Sequence, residues 1–157
     1  MTPTPYKHPL VTRVLHWAGV VMLGYGYLTG LEDVDQLQDL ALLQREVLFA
    51  TVLGGVFAIR WFGVTYLQSR SSALPTETPQ WQRTAAKLVK HGMYISVLGI
   101  VLSGLAIAYS PYASLQSVFV FLHELILGVT PFLIGAHIMG VVFHMVKRDG
   151  VVRSMWR

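Results

Sequence analysis

The feature that limits this chain most is an apolar run from Ser117 to Val146 that carries three histidines, His123, His137 and His144. Fourteen residues separate the first two and seven separate the second pair. At about 100° and 1.5 Å per residue, these spacings return a helix to within about 40° and 20° of one face, with His123 and His137 about 21 Å apart. The run is long enough to cross a hydrocarbon core of about 30 Å. An ionisable group inside a membrane costs a few kcal/mol or more, so a stripe of imidazoles there reads as function. Neutral imidazole is a common metal ligand and the proximal ligand of many haems.

The rest of the composition agrees with a membrane location. Of 157 residues, 54% are hydrophobic and only 13% charged, about half the charge of an ordinary soluble domain. Cysteine is absent, which excludes disulfides, iron–sulfur ligation and thiol catalysis. The net charge of +4 is no nucleic-acid signal, because the basic residues gather at the ends of apolar runs. Residues 1–157 therefore read as one membrane domain in a lipid setting.

Four spans are expected, at about 11–31, 47–67, 88–109 and 117–146. A short polar arm, Met1 to Pro9, precedes the first span, which is too long for a signal-peptide core. An acidic loop with Glu32, Asp33, Asp35 and Asp39 follows it. The polar connector Gln68 to Lys90 carries Arg70, Arg83, Lys87 and Lys90, Ser110-Pro111 ends the third span, and the tail from Lys147 is basic. Lysine and arginine in short loops mark the cytoplasmic side, so both termini are expected there. Short loops join antiparallel neighbours, and the fold class is an all-α, integral membrane four-helix up-down bundle.

With this topology, His16 near the start of the first span and His137 near the end of the fourth can share a level. They read as the two axial ligands of one haem between those helices. Ligation by two imidazoles fills both iron positions and makes an electron carrier rather than an oxygen activator. Gly19 and Gly140 each stand three residues after a ligand, where a missing side chain lets a flat macrocycle lie close to the backbone. The plain alternative is a pair of hydrogen-bonding histidines between helices.

Arg13-x-x-His16-Trp17, His123-Glu124, His137, His144 and the closing Lys147-Arg148-Asp149-Gly150-Val151 resemble the bacterial cytochrome b561 family, which includes the cytochrome b subunits of membrane hydrogenases and formate dehydrogenases. The resemblance covers nearly the whole chain. It implies a four-helix protein of the bacterial inner membrane with two haems b, carrying electrons between a periplasmic donor and quinone. His16 and His137 then form the cytoplasmic-side pair, and His123 is the fourth-helix ligand of the outer haem. The chain departs from the family at Arg45-Glu46-Val47-Leu48, where leucine stands in place of the usual second-helix histidine. The outer haem is then absent, five-coordinate on His123, or ligated by a partner.

Three further residues carry two readings each. Arg60 pairs with a haem propionate or snorkels to the headgroups. His91 and His144, near Lys90 and Lys147, line a quinone site that supplies protons, or are solvated interfacial side chains. The expected activity is electron transfer by a b-type cytochrome, with quinone oxidoreduction at the cytoplasmic side. Expected partners are quinone and a periplasmic or membrane redox protein, with no nucleic acid. One rival is a subunit of a larger oxidoreductase complex fed by its neighbour, and another is a haem-free structural membrane subunit.

Overall fold

Prolines and capping carboxylates, rather than the edges of the apolar runs, set where the helices begin. The computed structural model describes residues 9–31, 33–63 and 78–147. The arm over 1–8, Glu32, the end of the second span with its connector over 64–77, and the tail over 148–157 lie outside the described residues. Pro9 precedes α1 (Leu10–Thr29), and its carbonyl accepts from the Arg13 N–H at 3.2 Å. A 3₁₀ turn (Val34–Gln38) follows, capped by the Asp33 carboxylate on the Asp35 N–H. Asp39 caps α2 (Leu40–Phe62), accepting from the N–H groups of Ala41 and Leu42 at 2.9 and 3.3 Å. Two acids of the expected acidic loop thus serve as helix caps, which fill the orphan donors of a first turn. Pro79 opens α3 (Gln80–Tyr109), where a missing N–H is tolerated. The last helix, α4, runs Ala113–Lys147 through an internal proline, Pro131.

Helices α2, α3 and α4 are each long and apolar enough to cross a membrane. Helix α1 carries Arg13, His16, Tyr25 and Tyr27 within its 20 residues. Side-chain hydroxyls inside the spans bond back to their own helices: Thr51 to Val47, Ser103 to Gly99, Thr130 to Ile126, at 2.6 to 2.7 Å. Without water in the bilayer core, every polar group needs such an internal partner.

The core lies between α2 and α3, where Leu53, Phe57, Tyr94, Val97 and Val101 are buried together. Close approach depends on glycine: a Cβ on Gly54 would stand 2.9 Å from the Val101 side chain. Across α3 and α4, Gly92 meets Leu133, Gly99 meets Ile126, and Ser103 meets His123. Each step down one helix is a step up the other, which fixes an antiparallel register. Helix α1 packs on α2 through Gly19 against Phe57 and Gly26 against Phe49. By contrast, the backbones of α1 and α4 barely touch. Among the described residues, His16 with His137 and Tyr27 with the Leu127 carbonyl bridge that gap.

Candidate functional site

The first bridge is His16 to His137. Their ring centroids stand 6.4 Å apart at an interplanar angle of 72°. Two metal–imidazole bonds of about 2 Å, extended by two ring radii of about 1.2 Å, span about 6.4 Å. The pair therefore has the spacing to take one metal ion between its nitrogens. Among the described residues no group of three or more His, Asp or Glu could hold a metal by itself. A metal held by this pair would have to bring its other ligands with it, as a macrocycle does.

Two arginines support that reading. The Nε atoms of Arg13 and Arg60 are buried with no hydrogen-bond partner among the described residues. Arg13 stands one turn from His16. The Arg60 guanidinium lies over the Tyr94 ring, 5.5 Å from its centroid, and its charge acts on His137. Tyr94 is in turn stacked on Trp61, 6.1 Å away at 9°, and meets Phe57 edge-on at 6.3 Å. Buried guanidinium N–H groups are costly unless matched, and a pair of carboxylates from a bound group would match both.

The two glycines differ. A Cβ on Gly19 would stand 3.0 Å from the Phe57 ring, so α2 already fills the space beside it. Gly140 faces open space. A groove of about 720 Å³ runs over Leu10, Arg13, Trp17 and Val21, on a flank of α1 away from His16.

His123 is engaged elsewhere. Its Nδ1 lies 2.9 Å from the Ser103 hydroxyl, and its ring packs beside Gly104 on α3. Leu48 is 65% exposed and lines a groove of about 280 Å³ between α1 and α2, with Tyr25, Arg45 and Glu46. The Arg45–Glu46 ion pair closes at 2.9 Å, so Glu46 already has a cation.

The two remaining candidate histidines, His91 and His144, are not brought together. In the α3–α4 register His91 lies near the level of His137, whereas His144 stands about 10 Å further toward the end of α4. His144 packs edge-on to Phe143, whose ring also carries the Lys147 ammonium at 4.8 Å. Sequence reasoning passed over Ser103, Tyr94, Tyr27 and Pro131. The signal available for Pro131 was its place inside an apolar helix.

A family model described as prokaryotic cytochrome b561 matches residues 7–157. Among curated proteins and solved structures, none matches the chain.

Proposed function

The chain belongs to the prokaryotic cytochrome b561 family, and from that premise we propose that His16 and His137 are the axial ligands of a single haem b between α1 and α4. A protein of this family is a b-type haem membrane protein that transfers electrons. The observation that carries the proposal is the 6.4 Å separation of the two imidazoles, with the buried, unmatched Nε atoms of Arg13 on α1 and Arg60 on α2.

When bound, haem b supplies a one-electron ferric–ferrous couple. The residues do the rest. His16 and His137 would hold the iron through two imidazoles, and a haem held in that way would serve electron transfer. Arg13 and Arg60 would pair with its propionates, where a guanidinium fork suits a carboxylate. Phe57 packs against Gly19, one turn beyond His16, and against Tyr94, over which Arg60 lies.

The haem count is one. On α2, Leu48 stands where a second axial group for His123 would be needed, and leucine offers no ligand. The protein lies in the bacterial inner membrane with both termini cytoplasmic, so the His16–His137 pair sits toward the cytoplasm. Quinone exchanges electrons on that side, with His144 and Lys147 at the water boundary and His91 deeper on α3. Electrons enter from the opposite face, from a basic redox protein. A second reading makes the chain a subunit of a larger membrane oxidoreductase. The exposed Leu48 favours it, because a neighbour delivering electrons directly needs no outer haem.

A pyridine haemochrome assay with protein quantitation is expected to give one haem per chain. His137→Ala abolishes the low-spin spectrum, His16→Ala abolishes it or leaves high-spin haem, and His123→Ala retains it. An unchanged low-spin spectrum in both His16→Ala and His137→Ala would remove the axial assignment, and two haems per chain would remove the single-haem one.

A further inference from the structure

The second bridge between α1 and α4 begins with a missing hydrogen bond. Proline has no N–H, and its ring crowds the carbonyl four residues back. For Pro131 that carbonyl belongs to Leu127. It accepts instead from the hydroxyl of Tyr27 on α1, at 2.9 Å. Thr130, fully buried, lies beside the same hydroxyl and bonds its own helix at Ile126. In a bilayer core no water is present to take up a freed carbonyl, so its partner must be protein.

The position of this contact matters as much as its chemistry. Tyr27 stands eleven residues beyond His16 on α1, about 16 Å along the axis and within about 20° of the same face. Leu127 stands ten residues before His137 on α4, about 15 Å. Two antiparallel helices whose backbones barely touch are thus tied at two levels that match in spacing. The lower tie is the imidazole pair, and the upper one is the tyrosine.

We propose that Pro131 and Tyr27 form a clasp that sets the spacing and register of α1 against α4, and so places His16 opposite His137. Tyr27 is a positioning residue: it acts on the imidazoles through the helix that carries both. The positioning role rests on the reading of His16 and His137 as ligands of one haem, whereas the clasp itself stands without it.

The test is a double-mutant cycle on the full, haem-loaded protein, with Tyr27→Phe, Pro131→Ala and the two combined. Haem loss to a scavenging globin reports ligand alignment. Helix spacing is read in the reduced state from nitroxides at Leu28→Cys and Phe132→Cys. Both residues are more than three-quarters exposed, and the chain has no other cysteine. Tyr27→Phe is expected to speed haem loss about five- to tenfold and to broaden the nitroxide distance distribution, the effect of one acceptor left unmatched where lipid excludes water. In the Pro131→Ala background a restored N–H satisfies Leu127, so the same change should have less than about a twofold effect. Equal damage in both backgrounds would overturn the clasp. A broadened distribution with unchanged haem loss would overturn the positioning role. Failure of the axial reading shows separately, as a low-spin spectrum that survives in both His16→Ala and His137→Ala.

Discussion

The Ser103 hydroxyl donates to the Gly99 carbonyl at 2.6 Å, so its 2.9 Å contact with His123 runs the other way, from the imidazole Nδ1–H to the hydroxyl oxygen. That direction fixes the tautomer and leaves Nε2 with its lone pair. Fixing one ring nitrogen by a hydrogen bond is how proteins hold a histidine ready at the other. Nitrogen NMR of labelled histidine is expected to show His123 protonated at Nδ1. Ser103→Ala should mix the tautomers and lower stability by about 0.6 to 1.7 kcal/mol, the range for such bonds between membrane helices. A mixed signal in the unsubstituted protein would contradict the assignment.

Arg60 should raise the midpoint potential of the centre. A buried cation disfavours the extra positive charge of the oxidised iron. At about 10 Å and an effective dielectric constant of about 20, the interaction is about 1.7 kcal/mol, or ~70 mV for one electron. Arg60→Gln is expected to lower the potential by tens of millivolts on that scale, and Arg60→Lys by less. A redox titration followed by visible absorbance measures both.

Gly54 tests the packing of α2 on α3. A leucine there would drive its Cβ to 2.9 Å from Val101, which is buried and cannot move aside. Overpacking of this kind costs about 1–3 kcal/mol. Gly54→Leu should lower the denaturation midpoint in detergent, whereas Gly55→Leu, which meets nothing within 4 Å, should leave it nearly unchanged.

The α1–α2 end of the molecule is acidic, with Asp33, Asp35, Asp39 and Glu46 against Arg45. Surface fields steer charged partners, so superoxide, an anion, should react slowly there and a basic protein donor quickly. Added salt should narrow the difference, because screening acts over about 10 Å at 0.1 M. Stopped-flow reduction at two ionic strengths decides it: fast reduction by superoxide that slows with salt would reverse the sign.

How much of this was legible beforehand follows from what each signal measures. The spacing of the histidines and the arginine one turn before His16 are periodic, and helical period is written in the chain. The helix ends were less so. Hydropathy marks the stretch that suits lipid, whereas Asp39 and Pro79 start α2 and α3 seven or eight residues before those stretches. The core was not legible at all. In helices that are apolar on every side, nothing in the pattern says that Phe57, Tyr94 and Val101 face inward while Leu102 and Ile59 face out. Long-range polar contacts were also hidden. A proline in α4 was in plain view, but its consequence lay in a tyrosine on α1.

That proline also gives the molecule a sequence in time. Until α1 is beside it, the Leu127 carbonyl has neither an N–H nor water to meet, a state that costs several kcal/mol in hydrocarbon. Synthesis runs from the N-terminus, so the tyrosine is already in the bilayer when its acceptor, 100 residues later, emerges. Seating of α4 is therefore conditional on α1, and that step brings together the two helices that carry His16 and His137.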